Sequence, residues 1–477
     1  MKKFLAVVVL LILGFSFSAC KKRDVGMAGM LPEGTVLKMQ IWTAQEPDFI
    51  AALGREFLSV AQTPGLQVHV ISFDSDAELQ HELAEKMAEG RGPDVIFTAG
   101  DWIHQNSKKL VPLLQDETFS AQNFQNTFVH AAAESMIFEN QIWGIPMAVD
   151  SLAVIFNEEH LIDRLQDRNS PAATWTDFKS DVEQLTKTDN SITRFLVSGA
   201  AIGRADNLNY GVEILENLML QIGTTFFEPE NAVARFATSA GVMSDGTRAN
   251  LGEEALQFFV SFASPKYKNF SWNELIATSE TSGRDFAPFL QGKVSMIFGK
   301  SRDLKFLKKL SGEQDRSGEK LISEKNIKVA FLPQFEDPAQ THTRDVVADV
   351  WAFAVPRGAQ NEEMSWSFLK FSGKKENAVS FHNSTLLPTA RLDLIAEQGD
   401  EPNLGIFARQ AKFSKNNFVP ISRDTFSQEF SKLIFALNEN QVSIETGLKN
   451  LENAMTQELT RSANREKQFE TLRKSAP

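Results

Sequence analysis

Val36 to Trp42 alternates apolar and polar residues, the period of a half-buried strand. Pro47 to Ala61 follows with helical spacing, and Gln67 to Phe73 reads as a second strand with Val68, Val70 and Phe73 on its apolar positions. Ser75 and Glu78 form a capping box. The helix behind it carries Leu79, Leu83 and Met87 on one face and is closed by Gly90. Asp94-Val95-Ile96-Phe97 is a short buried strand. Strand-helix-strand-helix-strand predicts parallel βαβ units and an α/β fold.

Further along, Gln141 to Phe156 is apolar and mostly extended, interrupted by Gly144 and Pro146. Thr174 and Asp177 cap a helix carrying Phe178, Val182 and Leu185. Residues 188–290 read as largely helical, with apolar stretches Ile214 to Leu220 and Leu256 to Phe262. Lys293 to Phe298 and Lys328 to Leu332 are strands, and the polar residues 311–327 between them form an exposed insertion. Val346 to Pro356 is extended and Glu362 to Phe371 helical. A last helix aligns Ile444, Leu448, Leu451, Met455 and Leu459 on one face.

The N-terminus has a different character. Met1-Lys2-Lys3 precedes an uncharged run from Phe4 to Phe17. That run is shorter than the roughly 20 residues a spanning helix needs, and basic-then-apolar is the layout of an export signal. It ends in Ser18-Ala19-Cys20, which holds the chain's one cysteine. This segment resembles a bacterial lipoprotein signal. The resemblance implies cleavage after residue 19 and a thioether lipid on Cys20, followed by a polar, Gly-rich tether over residues 20–35 that should be mobile. No second run of 18 or more apolar residues exists, so nothing else is expected to span a membrane.

Composition narrows the class. With 42% hydrophobic and 23% charged residues, wholesale disorder is excluded. The formal charge is −12, and it becomes −14 once Lys2 and Lys3 leave with the signal, which argues against nucleic acid. One cysteine excludes a disulfide framework. There is no phosphate-cradling glycine loop, no nucleophile elbow and no zinc-binding His pair. Asp74-x-Asp76-x-Glu78 begins like a calcium loop, but Leu79 stands where the turn demands glycine, so the stretch reads as a helix start. No catalytic residue, metal ligand or cofactor is assigned.

What remains is a set of strands ending in a Trp beside a carboxylate or a sharp turn: Ile41-Trp42, Gly100-Asp101-Trp102, Trp143-Gly144-Ile145-Pro146 with Asp150, and Ala348-Asp349-Val350-Trp351. Strand C-termini are where open α/β sheets bind ligands. An indole face and a carboxylate suit the CH and OH groups of a sugar. In their order, these fragments and several others resemble the extracellular solute-binding proteins, family 1, of ABC importers, the maltodextrin-binding type. The others are Pro93 to Phe97, Ile155-Phe156-Asn157, Thr174 to Phe178, Phe289 to Met296, Trp366 to Phe371 and Leu387 to Arg391.

The resemblance implies an α/β, two-lobed periplasmic-binding-protein-like fold (type II) with the ligand between lobes that close by hinge bending. It places 36–150 plus 299–356 in the N-lobe and 151–298 plus 357–477 in the C-lobe, with crossings near Asp150, Phe298 and Pro356. It assigns ligand contact to Trp42, Glu46, Asp101, Trp102, Asp150, Trp272, Arg302 and Trp351, and leaves Trp175 and Trp366 structural. The implied role is a monomeric, lipid-anchored extracytoplasmic protein that captures a carbohydrate and hands it to a permease, with no covalent chemistry. Lys300 and Arg302 stand where sugar binders often place an aromatic, and Tyr is scarce, with 2 against 38 Phe. A polyamine or organic anion in the same fold therefore stays open, as does a non-transport lipoprotein that is glycan-active or sensory.

Overall fold

The computed structural model describes residues 23–26 and 37–475, apart from 116–118, 166–167, 190–193, 229–231, 244–245, 279, 281–282, 316–317, 319 and 337–343. The expected export signal, Cys20 and most of the expected tether lie outside the described residues. Within that tether, Arg23–Gly26 is a strand rather than loose chain. It pairs antiparallel with the edge strand Leu66–Ser72 and so satisfies that strand's open hydrogen-bonding groups.

The N-terminal pattern folds as its periodicity predicts. Leu37–Thr43 lies parallel to Leu66–Ser72 on one side and to Val95–Ala99 on the other. Between them run helices Pro47–Val60 and Asp76–Ala88. The N-cap half of the expected capping box forms, the Ser75 hydroxyl accepting from Glu78 N at 3.1 Å, but the reciprocal bond to Ser75 N does not. The Glu78 carboxylate accepts from Asp74 N, one residue before the cap. Asp349–Ala354 then inserts antiparallel against Val95–Ala99 and carries Ile145–Asp150 on its far edge. This completes a six-stranded sheet.

A second, five-stranded sheet is built from Ile327–Ala330, Ala153–Asn157, Val294–Gly299, Phe195–Ala200 and Lys187–Thr188, in that spatial order. Ala153–Asn157 runs antiparallel to both of its neighbours. Helices Trp175–Leu185, Gly211–Ile222, Leu251–Ser261 and Arg423–Asn438 cover this sheet. The helix Ile444–Ser475 buries Leu448, Leu451, Met455 and Leu459, the stripe its spacing predicts. Residues 188–290 are less helical than expected. Two small hairpins, Phe227–Glu228 with Val233–Ala234 and Ala240–Val242 with Arg248–Asn250, join the helices.

The lobe boundaries differ from the expected ones at two places. Ile327–Ala330 pairs with Ala153–Asn157, so the chain stays in the second lobe beyond Phe298 rather than returning there. After Pro356 the chain remains on the first lobe: Glu362–Ser372 and Lys375–Thr385 bury Trp366, Phe368, Leu369 and Phe381 under the first sheet. Phe368 meets Phe353 edge-on at 5.4 Å, and Phe57 meets Phe368 in the same way. The chain therefore crosses between sheets at 150–153, in 331–348, and after Ile395. Gln410 stitches the crossings together. Its amide donates to Ser151 Oγ and Leu152 O, both at 2.9 Å, and its carbonyl accepts from Leu332 N.

Candidate functional site

Between the sheets lies a cavity of about 270 Å³. Its first-lobe wall is the C-terminal end of Val95–Ala99, the start of Gly100–Gln105 and the start of Asp349–Ala354. Gly100 makes this possible, because a Cβ there would stand 2.9 Å from Val350 Cβ. The helix can begin at the strand end and place Asp101 on the wall. The opposite wall is Glu213, Glu216 and Asn217 of Gly211–Ile222, with Lys300 from the end of Val294–Gly299. A strap over 412–422, leading into Arg423–Asn438, closes the rim with Asn416, Asn417, Phe418, Arg423 and Asp424.

Charge pairs cross this space. Arg423 Nε donates to Asp101 on the first lobe at 2.8 Å, and its Nη1 donates to Glu216 on the second at 2.6 Å. Burial alone would lower the Arg423 guanidinium, but Glu216 and Asp101 reverse this and raise it. Lys300 spans Glu213 at 3.0 Å and Asp349 at 2.9 Å, and lies 5.3 Å above the Tyr210 ring. Burial opposes the Lys300 charge and the same two carboxylates restore it, so its pKa is raised. Asp349 is held below the usual carboxylate value. Burial would raise it, and Lys300 with Arg302 outweighs that. Glu213 is raised by burial against the pull of Lys300. The strap adds contacts of its own: Gln105 donates to Val419 O, Asn416 donates to Ala131 O at 2.8 Å, and Phe418 stacks on His104 at 4.0 Å.

The eight residues expected from sequence fall into three groups. Asp101 lines the cavity. Glu46, Arg302 and Trp351 gather beside it. Arg302 lies 5.3 Å from the centre of the Trp351 ring and donates to Asp349 at 3.2 Å. Glu46 occupies the position just before Pro47–Val60, within electrostatic reach of Lys305 and Arg302, and burial raises its carboxyl. Trp351 is 7% exposed, so Arg302 and not open solvent meets its face.

Asp150 is fully buried and acts on the backbone. It accepts from Ser301 N and from Ser301 Oγ at 2.7 Å, holding the first turn of Ser301–Leu310 at the crossing. Trp42 packs against Phe73 at 5.1 Å inside the first core. Trp102 packs half-buried on that same core. Trp272 is a core residue of the second lobe with no exposed surface, its indole donating to Asn207 Oδ1 at 2.8 Å. The expected ligand role for Trp272 is corrected here, since no face is left to stack on a sugar. Trp175 and Trp366 are buried, as expected.

The sequence reading missed Glu213, Glu216, Asn417 and Arg423. One signal was available. Glu216 and Asn217 interrupt the apolar run Ile214 to Leu220, and a carboxylate on the buried side of a helix demands a cation. That cation, Arg423, comes from 207 residues further along, and no local pattern points to it.

A model of the family described as bacterial extracellular solute-binding protein matches residues 43–379. A maltotriose-binding protein of Pyrococcus abyssi is 22% identical over 158 residues, a match spanning 32% of either chain. Among solved structures, the sugar-binding protein MalE from Xanthomonas citri superposes with a TM-score of 0.70 at 14% identity, over 91% of this chain and 99% of its own. A cyclo/maltodextrin-binding protein complexed with maltotetraose gives 0.65 at 16% identity, over 89% and 98%. Both have the two-lobed fold described above.

Proposed function

Because the chain belongs to the bacterial extracellular solute-binding proteins, we propose that it is the lipid-anchored binding component of an ABC importer, which captures a carbohydrate between its lobes and delivers it to a permease. The observation that carries this reading is the cavity whose two walls come from different sheets, joined across the gap by the Asp101–Arg423–Glu216 bridge. A ligand that binds both walls holds the lobes together, and one that leaves lets them part. That difference is what a permease can sense.

The sugar-binding relatives favour a carbohydrate. Lipid on Cys20, which follows the Met1-Lys2-Lys3 and Phe4 to Phe17 signal-like run, supplies the membrane attachment. The test is a thermal-shift screen of the mature chain, residues 20–477, against sugars, polyamines and carboxylates. A raised melting temperature with sugars supports the reading. Stabilisation only by a polyamine or a carboxylate sinks the carbohydrate assignment. Mass spectrometry of the membrane-extracted protein checks the anchor, and an unmodified Cys20 thiol overturns it.

A further inference from the structure

The cavity is unusual in its charge. Five carboxylates line it, from Asp101, Glu213, Glu216, Asp349 and Asp424, against two cations, Lys300 and Arg423. Arg302 stands behind Asp349 and adds a third. Each lining cation is already divided between two carboxylates: Arg423 between Asp101 and Glu216, and Lys300 between Glu213 and Asp349. Asp424 has no ion-pair partner among the described residues. Asp150 and Asp303 lie just behind the wall and add negative charge. Among the described residues the wall carries more carboxylates than cations.

Its other features are equally specific. Among the described residues Phe418 is the one aromatic ring on the lining, and its stacked partner His104 occupies one of its faces. The amides are largely committed: Asn417 donates to Glu216 at 2.6 Å, and Asn217 receives Val347 N and gives to Glu213 O. Binding here cannot rely on a row of stacked rings or on free amide donors. The volume lies just below the range of small-molecule sites, roughly 300–1,000 Å³, which suits one or two sugar rings.

Resting on the carbohydrate reading above, we propose that the ligand is a sugar of one or two rings that carries a protonated amine. The ammonium donates to the carboxylates left short of cations, with Glu213 on the second-lobe wall and Asp424 on the rim the candidates. The ring hydroxyls donate to the remaining carboxylate oxygens, and Phe418 supplies one stacking face. A sugar acid meets five carboxylates and is rejected by the same field.

Calorimetry on the mature protein at low salt tests this. The ligands are glucosamine, galactosamine and mannosamine and their disaccharides, set against the neutral, N-acetylated and uronic-acid counterparts, with spermidine as a separate arm. The expected result is tighter binding of at least one free amine than of its neutral and N-acetylated forms, by about tenfold or more. The preference should shrink with added salt. Glu213→Gln and, on the exposed rim, Asp424→Asn should each narrow the gap between amine and neutral sugar. Equal binding of amine and neutral sugar, or preference for the uronic acid, overturns the amine assignment and leaves the carbohydrate reading standing. Spermidine bound and no sugar bound overturns both.

Discussion

Asp150 and Trp272 are polar or aromatic residues at tempting positions, and both turn out to hold the protein together. Burial pushes the Asp150 carboxyl up to about 6 from an ordinary 3.8, although Arg302 and the Ser301 hydrogen bond oppose the shift. The native state therefore keeps a proton that the unfolded chain releases. Stability from this group is lost as pH rises from about 4 to about 6, and is level above that. In Asp150→Asn this dependence disappears. The stability advantage of wild type over the variant should fall across that window by on the order of 2–3 kcal/mol, read from urea titrations at several pH values. A difference that stays flat with pH means the carboxyl titrates normally. Trp272→Phe strips Asn207 Oδ1 of its donor and leaves a void in the second core. It should cost roughly 2–4 kcal/mol of stability with ligand affinity unchanged. A weakened ligand with intact stability would return Trp272 to the binding site.

At the scale of elements, the crossings tie the two lobes together. Gln410 sits in Leu404–Ala411 and bonds both to the crossing at 150–153 and to the one beginning at Leu332. Gln410→Ala leaves Leu152 O and Leu332 N without partners in a buried place. A loss of about 2–3 kcal/mol is expected, together with faster hydrogen exchange confined to the three crossings. Uniform protection across the molecule in the variant would show that the crossings are held by other contacts. These crossings are also where the sequence was least legible. The strand and helix of each βαβ unit are local patterns, so Leu37–Thr43, Asp76–Ala88 and Val95–Ala99 were readable to within about two residues. Which sheet a strand joins is not local. Ile327–Ala330 has the same alternating pattern whichever lobe it enters, and only its pairing with Ala153–Asn157 decides. The same limit explains the site. Asp101 was found because it follows a strand end, whereas Arg423 matters only through partners 322 and 207 residues away.

For the molecule as a whole, the Arg423 bridge is a charge contact that joins the two lobes. Glu216 is 3% exposed and relies on it. Arg423→Met should leave Glu216 as a buried unpaired charge, costing about 2–4 kcal/mol. It should also shift the ligand-free molecule toward separated lobes, seen as a larger radius of gyration in small-angle scattering that ligand brings back. An unchanged radius with and without ligand would mean that the strap contacts of Asn416 and Phe418 hold the lobes by themselves.

The place of Asp349–Ala354 in the first sheet sets the order in which the chain is able to fold. This strand hydrogen-bonds to Val95–Ala99 on one side and Ile145–Asp150 on the other. Until about 200 further residues have been made after Asp150, those two strands have nothing between them. The second lobe waits longer, since its core needs Leu448 to Leu459. Neither lobe has a complete hydrophobic interior before the last third of the polypeptide exists, and closing such distant contacts is slow. A chain ending at residue 345 should therefore show no cooperative unfolding transition by circular dichroism. Until that point the core phenylalanines of both lobes, such as Phe353, Phe368, Phe426 and Phe430, lack the partners that bury them.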